Sequence, residues 1–70
     1  MRNDLFLKQM GSKIKAARIA NKFTLKKLSE ATGIHLTSLW FIENGRHNVH
    51  VLTLKAIADV FKIDLKDIIG

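Results

Sequence analysis

The sequence contains neither cysteine nor proline, and only four of its 70 residues are glycine. Without cysteine, neither disulfide bonds nor thiolate-based metal sites can hold the fold together. Because proline and glycine mark the turns of strand-rich folds, their scarcity favours long helical segments. The composition therefore predicts an all-α protein.

Long apolar runs are also missing. No stretch of the sequence approaches the roughly 20 apolar residues that a membrane-spanning helix needs. In the N-terminal segment, Asp4, Lys8 and Gln9 interrupt the apolar run that a signal peptide would require. We therefore expect a soluble, cytoplasmic protein with no membrane partner.

Hydrophobic residues, by contrast, are plentiful, at 47% of the chain. This content is high enough for a folded core, so disorder is not expected. A chain of 70 residues leaves room for one small core. We expect residues 1–70 to form a single domain.

The net charge of +6 is unevenly distributed along the chain. Nine basic residues lie between Met1 and Arg46, against three acidic ones, whereas three lysines and three aspartates cancel from His47 to Gly70. A basic excess confined to one part of a chain is typical of proteins that bind polyanions. The alternative is a basic surface that only keeps the protein soluble.

The spacing of apolar residues predicts five helices, over about residues 4–21, 25–32, 36–44, 51–62 and 65–69. The expected capping residues are Asn3 or Asp4 for the first helix, Thr24 for the second, His35 for the third and Asp64 for the fifth, with Asn44–Gly45 ending the third. Gly11 interrupts the first segment, so either residues 4–10 form a separate extension or the glycine admits a close neighbour. We favour one helix.

Residues 24–45 form the most informative segment, two short helices joined at Gly33. Glycine allows the positive φ that a tight turn between helices requires. Leu28 on the first helix and Leu39 and Ile42 on the second then meet in the angle between them. Small Ser29 lets the second helix cross close by.

Landmarks spread from about Gly11 to Ile69 resemble the XRE-type (phage-repressor or Cro-like) helix-turn-helix family. They include Ile14, Arg18, Phe23, Thr24, Leu28, Gly33, Ile34, Leu39, the run Ile42–Gly45, Leu54, Ile57 and Ile63. The resemblance implies a compact five-helix bundle, a lambda-repressor-like DNA-binding domain. It also implies a non-enzymatic transcriptional regulator, repressor-like, that binds double-stranded DNA as a homodimer on a palindromic site.

The same resemblance assigns roles to individual residues. The base-reading candidates are Leu36, Thr37, Ser38, Trp40 and Phe41. The phosphate-contact candidates are Thr24, Leu25, Lys26, Lys27, Asn44, Arg46 and Asn48. Arg18 and Glu43 match a family ion pair that would lock the recognition helix onto the scaffold.

Two departures from the family pattern bear on recognition. The family usually has a phosphate-binding glutamine where Leu25 stands, so contact there would fall to backbone amides. The recognition helix is unusually apolar, and Leu36 and Phe41 could contact thymine methyl groups. Helical geometry places Phe41 outward and Trp40 at the edge, partly covered. Core packing or self-association remains the alternative for both aromatic residues.

Apolar residues near the C-terminus exceed what a monomer of this size can bury. We therefore expect a two-fold interface formed by Leu52, Leu65, Ile68 and Ile69.

No set of residues indicates catalysis, a cofactor or a small-molecule substrate. The histidines His35, His47 and His50 lack the spacing and acidic neighbours of a metal site. The rival hypothesis is a protein-interaction module or antitoxin-like subunit that keeps this fold with weak or lost base readout.

Overall fold

The computed structural model describes residues 2–69, with side chains from residue 4 onward. Five α-helices and no strand form within residues 2–69, which confirms the all-α class. They are α1 (Arg2–Ala20), α2 (Leu25–Thr32), α3 (Leu36–Glu43), α4 (Val51–Phe61) and α5 (Lys66–Ile69). None of these helices has the length and apolar character needed to cross a membrane.

The ends of α2 and α3 follow the local signals in the sequence. The Thr24 hydroxyl accepts a hydrogen bond from the Lys27 amide at 3.0 Å, as expected for an N-cap. Gly33 ends α2 at φ 77°, and Gly45 follows α3 at φ 68°. His35 and His50 precede α3 and α4, and neither side chain caps its helix within the described part of the chain.

Two helix starts differ from the sequence prediction. The first helix begins at Arg2, so Asn3 and Asp4 lie inside its first turn and do not precede it; Met1 lies outside the described residues. The fifth helix begins at Lys66. Asp64 was expected to accept a hydrogen bond through its side chain, but in the observed bond it is the donor, through its backbone amide. The Asp64 amide donates to the Asp67 carboxylate at 3.1 Å.

One apolar core joins all five helices of the described chain. It consists of Met10, Ile14, Leu28, Leu39, Ile42, Leu54, Ile57, Ala58, Phe61 and Ile68. The first helix packs against α3, α4 and α5, while α2 packs against α3 and α4. Phe23, in the loop before α2, meets Phe61 edge to face at 5.2 Å between ring centres. This core fixes α2 and α3 to the rest of the bundle.

The first helix crosses the C-terminal end of α3 at very close range. A Cβ on Gly11 would collide with the Ile42 carbonyl oxygen and lie 2.5 Å from that of Glu43. A Cβ on Gly45 would lie 2.7 Å from Lys8 Cγ. Two glycines therefore let the backbones approach, and α1 is one continuous helix in which Gly11 admits a close neighbour.

Candidate nucleic-acid interface

The turn between α2 and α3 is held by side-chain hydrogen bonds to the backbone. The Ser29 hydroxyl donates to the Ile34 carbonyl at 2.5 Å. The Thr32 hydroxyl donates to the Leu28 carbonyl at 2.8 Å and accepts from the Ile34 amide at 3.2 Å. Ser29 therefore has two roles. Its small side chain lets α3 cross close by, and its hydroxyl links the turn to the end of α2 through a hydrogen bond.

The third helix has a buried side and an exposed side. Leu39, Ile42 and Glu43 are buried against the bundle. At about 100° per residue, one flank of the helix, about 60° to 160° around the axis from Leu39, carries Leu36, Trp40, Asn44 and Thr37, all exposed, which together we call the outer stripe. Three of the five base-reading candidates, Leu36, Thr37 and Trp40, therefore lie on one surface.

The aromatic pair on α3 lies differently from the sequence prediction. Phe41 was expected to face outward but is half-buried, because the His47 ring stacks on it at 4.7 Å between centres and 23° between planes. Trp40 was expected to be partly covered but is 44% exposed. The loop after α3 folds back over Phe41. The angular positions of residues around a helix do not predict the course of the loop that follows it.

Ser38 also lies away from the outer stripe. It is half-buried and lines a shallow hollow between α3 and the following loop, together with His47 and His50. Ser38 and Phe41 therefore face the loop side of α3 and lie off the outer stripe, although the Phe41 ring meets the Trp40 ring edge to face at 5.3 Å between ring centres.

The first turn of α2 supplies exposed cations. Lys26 and Lys27 are both exposed, and the Lys27 ammonium nitrogen lies 4.4 Å above the Phe23 ring. Leu25 is half-buried and packs against the core, so only its backbone amide is available to a phosphate. The Thr24 hydroxyl is already engaged in capping the helix.

Polar side chains follow the end of α3. Arg46 and Asn48 are exposed, and the Arg46 amide donates to the Phe41 carbonyl at 2.9 Å, which fixes where its side chain leaves the backbone. The Asn44 side-chain amide donates to the Trp40 carbonyl at 2.8 Å. Arg46 and Asn48 are thus the side chains placed to reach outward after α3.

A bidentate ion pair joins α1 to the end of α3. Arg18 Nε lies 2.6 Å from Glu43 Oε2, and Arg18 Nη2 lies 3.0 Å from Glu43 Oε1. A third bond runs from Arg18 Nη1 to the Phe23 carbonyl at 2.9 Å. One guanidinium therefore holds the end of α3 and the loop entering α2 at the same time.

The expected dimer surface is only partly exposed. Leu52 is 76% exposed, and the neighbouring Val51 is exposed as well. Leu65 and Ile69 are half-buried. Ile68 is 1% exposed and belongs to the core, because α5 turns its central residue inward against α1; it offers no surface to a second chain in this conformation.

Sequence reasoning missed two features of this region. One is the packing of His47 on Phe41. The only indication of this contact in the local sequence is an aromatic ring shortly after the Asn44–Gly45 pair that ends α3. The other is the contact of Gly45 with Lys8, which joins residues far apart in sequence. The described side chains form no group of three metal-binding residues.

Comparisons with known proteins agree with this geometry. The family profile HTH_3, described as helix-turn-helix, matches residues 14–68. No curated protein matches the sequence significantly.

Several solved structures are similar in fold. The restriction-modification controller protein C.AhdI from Aeromonas hydrophila superposes with a TM-score of 0.85 at 19% identity, covering 89% of this chain and 94% of that one. An HTH_3 family transcriptional regulator from Vibrio cholerae gives 0.87 at 23% identity, covering 94% of this chain and 37% of that one. The DNA-binding domain of BldD gives 0.83 at 22% identity, covering 96% and 97%. At these identities the likeness establishes a shared fold.

Proposed function

This chain belongs to the HTH_3 (XRE-type) helix-turn-helix family of DNA-binding regulators, and we propose that it is a sequence-specific, repressor-like regulator of transcription that binds double-stranded DNA. One observation carries the proposal. Along the chain, exposed Lys26 and Lys27 at the start of α2 precede the outer stripe of α3, and exposed Arg46 and Asn48 follow it. Polar and basic residues at both ends of a recognition helix suit a major groove with its two flanking phosphate backbones.

In the proposed complex α3 enters the major groove with its N-terminal half against the bases. Leu36, Thr37 and Trp40 then face base edges, since they are the exposed residues on that side. The Arg18–Glu43 pair keeps α3 at a fixed angle to α1. A fixed angle lowers the ordering cost of binding, because the helix is already placed before DNA arrives.

Phosphate contacts fix the register of the protein on the duplex. The free amides at the start of α2 and the side chains of Lys26 and Lys27 contact one strand. Arg46 and Asn48 contact the backbone on the other side of the helix. Residues 1–70 act as one DNA-binding domain, in the cytoplasm and on the nucleoid, without catalysis, cofactor or small-molecule substrate.

Trp40 provides a direct test, because it is the only tryptophan in the chain and lies on the outer stripe. Addition of a duplex should quench or shift its fluorescence and protect it from acrylamide. The parallel control is the anisotropy of a dye on the same DNA. Binding seen by the dye without any change at Trp40 would mean that DNA lies on another surface, which contradicts the proposal.

The regulator acts as a homodimer on a palindrome. Val51 at the start of α4 and half-buried Ile69 of α5 line one hollow, and Leu52 is the next residue along α4 and 76% exposed. A two-fold contact here would place two copies of α3 about one turn of DNA apart, roughly 34 Å. Binding of both half-sites would then be cooperative.

Sedimentation velocity at tens of micromolar tests this dimer. The parent protein should sediment as a dimer, and Leu52→Lys should sediment as a monomer. Lys55→Ala, which changes an exposed residue on the same helix, should leave the dimer intact. A parent protein that stays monomeric both alone and with DNA would rule out the interface.

The second candidate is a protein-interaction module or antitoxin-like subunit. The observation that favours it is the exposure of Leu36 and Trp40, each at 44%, because an apolar surface also suits a protein partner. Such a module would bind its partner with little dependence on salt and would lose the partner on Trp40→Ala. A DNA-binding protein would instead lose affinity on Arg46→Ala and show a strong salt dependence.

A further inference from the structure

The outer stripe has few groups that can hydrogen-bond to bases. Leu36 and Trp40 are largely apolar, and Thr37 offers one short hydroxyl. The Asn44 side-chain amide already donates to the Trp40 carbonyl. The forked or amide side chains that bind guanine or adenine through two hydrogen bonds are absent from the stripe between Leu36 and Glu43. Hydrogen-bonded recognition of purines therefore has little support here.

Apolar groups, however, are continuous along the stripe. Leu36 and Trp40 are separated by one helical turn, so their side chains are neighbours on the surface of α3. Each is 44% exposed, and Thr37, which follows Leu36 and carries a methyl group, is exposed as well. The apolar group that bases present in the major groove is the C5-methyl of thymine. 5-Methylcytosine carries a methyl group on the same ring position.

We propose that α3 reads DNA mainly through pyrimidine C5-methyl groups, with Leu36 as the principal contact and Trp40 and Thr37 beside it. This inference rests on the proposed DNA-binding function. It assigns the apolar contact to residues that the structure exposes, and it excludes Phe41, whose ring is stacked against His47. Thymine and 5-methylcytosine are then equivalent ligands at the contacted positions.

The first arm of the test removes the methyl group from thymine. Anisotropy titrations compare an alternating dA·dT duplex with a dA·dU duplex of the same length. Burial of one methyl group corresponds to about a fourfold gain in affinity, so the dA·dT duplex should bind at least about fourfold more tightly. Equal affinities would overturn the inference.

The second arm distinguishes the two sources of the methyl group. An alternating dG·dC duplex is compared with the same duplex containing 5-methylcytosine. Tighter binding of the methylated duplex would support 5-methylcytosine as a ligand, and a gain confined to the dA·dT duplex would support thymine. A gain in both comparisons would support recognition of the C5-methyl group on either base, whereas a gain confined to the dA·dT duplex would overturn the equivalence of the two bases and leave thymine as the ligand.

Variants assign the effect to Leu36. Leu36→Ala should reduce the dT-to-dU affinity ratio towards one, whereas Leu5→Ala, at an exposed leucine on α1, should leave the ratio unchanged. A ratio that survives in Leu36→Ala would point to groove shape and contradict the contact. Equal, salt-dependent binding of all duplexes would overturn methyl readout while leaving DNA binding intact. No binding to any duplex would overturn both.

Discussion

Single residues determine how firmly α3 is held, and a comparison of two ion pairs in the described chain shows the contrast. The side chains of Arg18 and Glu43 are 12% and 3% exposed, and they meet through two hydrogen bonds. Those of Lys55 and Asp59 on α4 are 62% and 64% exposed at 3.3 Å. Water screens the second pair and not the first, so only the first should contribute strongly to stability.

Glu43→Gln tests this difference directly. The change leaves the buried Arg18 guanidinium without a charged partner, and we expect the free energy of unfolding to fall by about 2 kcal/mol. The matched control is Asp59→Asn, the same acid-to-amide change at the exposed pair, with an expected effect within about 0.5 kcal/mol. Urea unfolding measures both. Equal effects would mean that the Arg18–Glu43 pair is not a structural clamp.

The pairing of these two residues was predicted from the family resemblance, but the position of Phe41 could not be. Angles around a helix predict which side a residue faces and contain no information on what returns to cover it. The His47 ring comes from a loop beyond α3, and its stacking covers Phe41, while Trp40, which was expected to be partly covered, is 44% exposed. Ile68 was misplaced for the same reason, since its burial depends on α1.

Among the helices, the close crossing of α1 and α3 determines the distance between these two helices, and with it the position of α3 in the bundle. Gly11 lies in the middle of a 19-residue helix, where glycine is an unfavourable choice. The structure explains it, because the last carbonyl groups of α3 occupy the space that a side chain would need. Glycine at this position has low helix propensity, but it allows the close contact between the two helix backbones.

Gly11→Ala separates these two effects. In an open helix this change would stabilise by about 1 kcal/mol. Here the added Cβ must push α3 away, and we expect a net loss of about 1–3 kcal/mol. Ser12→Ala, at the next and exposed position, should be neutral or slightly stabilising. A stabilising Gly11→Ala in thermal unfolding would show that the two helices are not in close contact.

Helix ends could be predicted from sequence where their chemistry is local. Thr24, Gly33 and Gly45 act through bonds and φ angles within a few residues, and the predicted bounds of α2 match. The predicted start of α1 was wrong by two residues, which is the usual uncertainty of a helix boundary. At the start of α5, Asp67 supplies the capping acceptor and the Asp64 amide the donor, so the expected side-chain cap at Asp64 was wrong.

For the whole molecule, the distribution of charge and apolar surface favours the proposed DNA-binding function over a protein-interaction module. The basic excess belongs to residues 1–46, which include α2 and α3, and Lys26, Lys27 and Arg46 are all exposed. The outer stripe between them is mostly apolar. Basic margins around an apolar centre suit a groove with phosphates on both sides and methyl groups on its floor.

The salt dependence of binding to a random-sequence duplex tests the central claim most directly. The logarithm of the association constant should fall linearly with the logarithm of salt concentration, with a slope of about −0.9 for each phosphate neutralised. Arg46→Ala should weaken binding and reduce the slope by about one, whereas Lys66→Ala on α5, the same loss of charge away from the interface, should leave the slope unchanged. No binding at low salt by the folded protein would contradict the account and favour a protein partner for α3.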